Sequence, residues 1–186
     1  MRDLLPEECN VRIRAHCHRS NKVIYDELGH NVWTVTGREY SAMLKTYRDR
    51  SGGVLRPFRS DRIAYVGLGS GTQPESVDVT RLINPIAYSE QTWLKEINHN
   101  RTMFPNSGSR LAVRYVATFD KNDFGGEHYI SECGLFTDGH SVDFTPGNRQ
   151  TSLPDASLQA PIAYHTFSPI PKTPNISIEL LWELRH

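Results

Sequence analysis

The sequence predicts a mainly β protein: a β-sandwich-like domain with one short amphipathic helix and long loops. Three observations carry this. Several segments, 11–18 and 176–185 foremost, alternate apolar and polar residues, which is the two-residue period of a strand with one face buried. The 13 glycines and 11 prolines suit a loop-rich β chain better than a helical bundle. Only one stretch joins a helix-start signal to helical spacing. At 186 residues the chain suits a single domain. It divides into an N-terminal strand or arm over 1–25 and a β-rich body over 26–186.

Taken in order, Val11, Ile13, Ala15 and Cys17 share one face of the first strand, and Arg12, Arg14, His16 and His18 share the other. Polar residues 20–22 make a turn, and Val23-Ile24-Tyr25 continues as a short strand. Thr36-Gly37-Arg38-Glu39 fits a capping box. Tyr40, Met43, Leu44 and Tyr47 then fall on one helical stripe, which predicts a helix over 37–49, ended by Gly52-Gly53. Ile63-Ala64-Tyr65-Val66 reads as a buried strand. It runs into a glycine run in which Gly67, Gly69 and Gly71 are expected to form a tight turn needing positive φ. Residues 86–98 fit a short helix or a covering loop. Residues 111–119 and 128–137 read as two strands of one β-hairpin, joined by the turn-rich stretch from Asp120 to Gly126. Residues 138–161 form a long excursion. Ala163–Phe167 is a strand, and Pro169, Pro171 and Pro174 lie in an extended connector. The last segment alternates best: Ile176, Ile178, Leu180, Trp182 and Leu184 on one side, polar residues mostly on the other.

Composition excludes some classes of function. Twenty-one basic residues balance 21 acidic ones, and this zero balance argues against a protein held directly on nucleic acid. Residues 1–10 hold three acids and no apolar run, so no signal peptide is expected there. No segment has the roughly 18 apolar residues of a membrane helix. Cysteines 9, 17 and 133 have no repeated spacing and are read as reduced thiols.

Candidate chemistry is sparse. The run Gly67-Leu68-Gly69-Ser70-Gly71-Thr72 lacks the lysine of a P-loop, and Pro74 follows where a dinucleotide fold needs a helix. His16 and His18, with Cys9 and Cys17 nearby, lack the further ligands of a metal site. In Ser131-Glu132-Cys133-Gly134 the thiol reads as a small buried hydrophobe, and no Gly-x-Ser-x-Gly occurs. No catalytic, cofactor-binding or metal-binding residue is therefore expected, and the chain is read as a non-enzyme. Its main charge feature is the strip Arg12, Arg14, His16 and His18, which suits a contact with another subunit.

Two strings point further. Arg62-Ile63-Ala64-Tyr65-Val66-Gly67-Leu68-Gly69-Ser70-Gly71-Thr72-Gln73-Pro74-Glu75 resembles a hydrophobic strand followed by G-x-G-x-G-T and x-P in structural proteins of tailed bacteriophages. Ile130-Ser131-Glu132-Cys133-Gly134-Leu135-Phe136 resembles the "ISEAGLF" string that follows it there, with Cys133 in place of a small residue. Segments 29–38 and 163–167 look like further parts of the same family. The resemblance implies a virion protein of the neck, tail, baseplate or fibre attachment, a connector or adaptor that forms rings or trimers with identical copies and contacts other virion proteins. A capsid decoration protein is the nearest alternative. A carbohydrate-binding receptor module, using exposed Trp33 or Trp93, is the alternative of another class.

Overall fold

A computed structural model describes residues 8–46, 63–87, 94–98, 101, 106–107, 110–137 and 160–185. The chain is mainly β, as the alternation predicts. Its strands are β1 (Glu8–Cys17), β2 (Lys22–His30), β3 (Val32–Trp33), β4 (Ile63–Gly69), β5 (Leu94–Glu96), β6 (Asn106–Ser107), β7 (Arg110–Phe119), β8 (His128–Thr137), β9 (Ala163–Lys172) and β10 (Ile176–Arg185), with α1 over Val35–Thr46. They form two five-stranded antiparallel sheets, in the orders β2-β1-β10-β7-β6 and β3-β9-β8-β4-β5.

The first sheet follows the sequence pattern closely. Val11, Ile13, Ala15, Ile178, Leu180 and Trp182 are all buried, and Val11 lies opposite Trp182 in the β1–β10 register. Of the strand or arm expected over 1–25, the described residues 8–25 are built into the sheet as strand and turn. They form β1, flanked on both sides, and the start of β2, reached through a turn over 18–21 in which Asn21 takes φ 51°. Strand β2 runs on to His30, well past Tyr25, with a bulge where Ala15 pairs Tyr25 and His16 pairs Val23.

The second sheet is buried on both faces. Leu68, Cys133, Leu135 and Ala163 face the shared core, while Leu94, Phe136 and Tyr164 pack with Val79 and Leu82 from the segment between β4 and β5. Burial on both sides removes alternation, and β8 is buried continuously from Ile130 to Phe136.

Several sequence expectations are corrected. Helix α1 starts two residues early. Thr34, not Thr36, caps it: the Gly37 amide donates to Thr34 Oγ1 at 3.1 Å, and Arg38 N donates to Thr34 O at 3.0 Å. Thr34 wins because it is fully buried and its hydroxyl also donates to Pro161 O at 2.5 Å. Tyr40 packs on the core as the stripe requires; Tyr47, Gly52 and Gly53 lie outside the described residues. Strands β7 and β8 do not form a hairpin. They belong to opposite sheets, β7 pairing with β10 and β8 with β4 and β9. Their link crosses the sandwich and inserts Phe124, 2% exposed, against Phe119 at 5.4 Å between ring centroids. Segment 86–98 contributes the edge strand β5 where a short helix or covering loop was expected. Pro169 and Pro171 lie within β9, beyond the two residues that β3 pairs, where a missing amide breaks no ladder. A further correction concerns Gly67, Gly69 and Gly71. The excursion over 138–161 lies outside the described residues except for 160 and 161.

Candidate functional site

The glycine run is extended. Strand β4 continues through Gly69, and none of Gly67, Gly69 and Gly71 has positive φ. Close approach is what demands glycine here. A Cβ on Gly67 would meet Leu94 at 2.8 Å. One on Gly69 would lie 2.3 Å from Glu132 Oε1, and one on Gly71 would lie 2.6 Å from three atoms of the same carboxyl group.

Glu132 is completely buried. Its Oε1 accepts from Gly71 N at 3.0 Å and Asn84 N at 2.9 Å; its Oε2 accepts from Ile83 N at 3.1 Å and the Tyr164 hydroxyl at 2.8 Å. A buried carboxyl group left without such donors would be costly. A bulge between Ile130 and Glu132 lets adjacent side chains reach the same segment, and Ser131 Oγ donates to Gly71 O at 2.8 Å. The carboxyl group thus staples both ends of 71–84 onto β8.

A second cluster joins the sheets beside β2. His165 Nδ1 lies 2.5 Å from Glu75 Oε1, which also accepts from Thr166 N at 2.9 Å. His165 Nε2 has no hydrogen-bond partner and lies 4.0 Å from Glu27 Oε1. Glu27 in turn bonds the Tyr25 hydroxyl. Burial, and then the bond to Glu27, pushes the Tyr25 phenol well above its ordinary value. The Glu75–His165 pair has the order of a general-base dyad. Through His165 Nδ1 and Thr166 N, Glu75 clamps segment 71–79 to β9.

The third group is Lys172, fully buried at the sandwich crossing. Its ammonium donates to Asp123 O at 3.0 Å, Thr173 O at 3.1 Å and Lys121 O at 3.4 Å, and lies 5.5 Å from the centre of the Phe124 ring. Burial lowers its pKa.

The basic strip lies on the outer face of β1. Arg12 grips Asp26 of β2 with two bonds, Nε to Oδ1 at 2.7 Å and a second guanidinium nitrogen to Oδ2 at 2.8 Å. Arg14 Nε reaches Oδ2 at 3.2 Å. The Arg12 bonds hold the Asp26 carboxyl below the usual carboxylate range. Two guanidinium groups thus share one carboxylate, so the strip keeps only part of its formal charge. His16 stays on the strand, opposite Ser177 and Val23, whereas His18 opens the turn, its amide donating to Asn175 O at 2.8 Å. The two imidazoles therefore do not share one strand face.

All three cysteines are free. Burial drives the Cys133 thiol well above its ordinary value, and the fields of Glu75 and Glu132 add to this. Burial also pushes Cys9 up to about 12, although Asn31 Nδ2 lies 2.8 Å from its sulfur. Trp33 packs against the core and is no exposed platform for a sugar, while Trp93 lies outside the described residues. No group of three metal-ligating side chains occurs among the described residues, and no helix there is long and apolar enough to cross a membrane.

Sequence reasoning missed Glu132, His165 and Lys172 as organising residues. For Glu132 a signal existed: an acid inside an otherwise apolar strand must be paired, and glycines at alternate positions of a neighbouring strand leave the space for it. Compared with known proteins, the chain matches no family model, no curated protein and no solved structure.

Proposed function

We propose that this chain is a structural virion protein of a tailed bacteriophage, a neck, tail or baseplate connector that assembles with identical copies and contacts other virion proteins. The observation that carries the reading is how its two resembling strings fit together. Gly67, Leu68 and Gly69 pair with Gly134, Cys133 and Glu132, and the carboxyl group of the second string fills the space left by the glycines of the first. The strings therefore constrain each other, which favours reading them as one inherited unit. Glu132 and Lys172 spend their hydrogen bonds on joining strands and loops, which favours a structural role for these buried groups. Arg12, Arg14 and His16 of β1, with His18 at the adjoining turn, remain the candidate contact for neighbouring subunits. Many identical contacts of modest strength give such an assembly its avidity.

The test is mass spectrometry and antibody labelling of particles of a phage that encodes the chain. The expected result is a fixed copy number at one station of the particle. Particles that lack the chain would overturn the proposal, and label spread over the head would favour the decoration protein.

A further inference from the structure

We infer that the outer edge of β2 pairs antiparallel with β2 of a second copy, with the two-fold axis passing between Leu28 and its counterpart. The inference rests on the reading of the chain as an assembling part, and goes beyond it by naming the surface and the register. Among the described residues, β2 ends its sheet with nothing paired to its outer side. It is nine residues long, whereas the other terminal strands, β6, β3 and β5, have two, two and three residues. Proteins usually blunt a long edge with proline, a central bulge or an outward lysine. The free flank of β9 carries Pro169 and Pro171, but β2 has no proline, and its bulge and Lys22 sit at the turn end. That leaves 25–30 regular. At the centre of this stretch Leu28 is 68% exposed.

Backbone direction agrees with this pairing. Asn31 N donates to Cys9 O at 3.2 Å. Counting back by the antiparallel alternation, Gly29, Glu27 and Tyr25 turn their amides and carbonyls toward β1. Asp26, Leu28 and His30 turn theirs outward. Those three side chains are also the exposed ones. In the register centred on Leu28, leucine meets leucine, Asp26 meets His30 of the second copy, and His30 meets its Asp26, so every outward amide faces an outward carbonyl. Charge disfavours two of the neighbouring registers and favours this one, which sets Asp26 against His30. Centring on Asp26 would oppose two aspartates, and centring on Glu27 would oppose two glutamates; the Leu28 register puts Glu27 opposite Gly29. Asp26 would then lie between the arginines of its own chain and the imidazole of the other. The product is one continuous sheet through both copies, an isologous contact compatible with a dimer or with a dihedral ring.

The experiment is sedimentation velocity and light scattering on the full chain between about 1 and 100 μM, a range that spans micromolar affinity. The expected wild-type mass at the upper end is two chains or an even multiple. Leu28→Lys and His30→Asp each reduce it, to one chain if wild type is a dimer, while His30→Lys keeps the wild-type mass. Near-ultraviolet circular dichroism reports whether each variant keeps its packing, and two independent surface positions guard against one that does not fold. A monomeric wild type at about 100 μM overturns the inference, as does an oligomer that both disruptive variants leave intact. A monomer found in virions would defeat the pairing alone; a β2-dependent dimer missing from virions would defeat the virion role alone.

Discussion

The staple between Glu132 and the glycine run makes a prediction whose two parts must cancel. Glu132→Ala leaves three backbone amides without an acceptor inside the protein, those of Gly71, Ile83 and Asn84. Each orphaned donor costs about 1–3 kcal/mol, and partial access to water for the loosened segment brings the total to about 3–5 kcal/mol. Gly71→Ala alone drives a methyl group against Glu132, because the three atoms nearest the new carbon, all at 2.6 Å, belong to that one side chain. Its cost is about 1–3 kcal/mol, the usual range for overpacking. In the double variant the methyl group enters the space the carboxyl group has left, so the combined cost falls below the sum by at least ~1 kcal/mol. Gly69→Ala is the internal control. Its added carbon would also lie 2.7 Å from the Asn84 carbonyl, which stays in place when Glu132 is removed, so it is rescued less. Urea denaturation of the four proteins of each cycle, read as midpoint and slope, supplies the numbers. Additivity within about 0.5 kcal/mol at Gly71 would refute the reasoning, because the glycine would then serve something other than the carboxyl group.

Other outcomes follow from the same geometry. Native alkylation near neutral pH should mark Cys17 first, since hydrogen bonds from Ser20 lower its thiol pKa while burial raises those of Cys9 and Cys133; peptide mass mapping that finds Cys9 or Cys133 labelled as fast counts against the packing described. Glu183 is buried, which by itself raises its pKa, yet bonds from Arg114 and Arg185 bring it below the ordinary value. A depressed folded-state pKa contributes stability above the unfolded value, about 4.3, that is lost as pH falls through the folded one. The melting temperature of Glu183→Gln should therefore vary less with pH on the acid side, and an unchanged acid limb would contradict the assignment. Lys172→Met keeps the stem and strands three carbonyls, so it should lower stability by about 1–3 kcal/mol in urea; a neutral result would mean water replaces the ammonium. Deleting 176–186 removes β10 from between β1 and β7 and should abolish folding, whereas a native-like circular dichroism spectrum from the shortened chain would show that β10 is dispensable.

What the sequence made legible depended on whether a strand has one buried face or two. Strands β1 and β10 bury one side, so Val11, Ile13 and Ala15, and Ile176 to Leu184, stand out by alternation alone. Strands β4 and β8 are covered by the core on one side and by segment 70–87 on the other. With both faces buried their pattern carries existence but not orientation, and the glycines of β4 then look like turn residues. The charge strip was legible as composition and not as pairing: nothing local to β1 says that Asp26, 14 positions after Arg12, will lie within its reach. The helix cap was missed by two residues for a similar reason. Thr34 and Thr36 offer the same hydroxyl, and what separates them is contact with Pro161, far along the chain.

The mistaken hairpin carries the more general lesson. Two strands joined by a polar, glycine-containing stretch look the same from sequence whether they pair with each other or cross between sheets. The discriminating residue is Phe124. A hairpin tip is solvent-exposed, and a phenylalanine there would have nothing to cover it. In this chain Phe124 takes φ 71°, strained for an aromatic residue, and inserts beside Phe119. Lys172 arrives from β9 to satisfy the carbonyls of Lys121, Asp123 and Thr173 as the chain turns. Strain and a buried charge are both expenses, and a hairpin would incur neither. In this chain the apolar Phe124 in the middle of a polar link is thus the sequence-level mark of the passage from one sheet of the sandwich to the other.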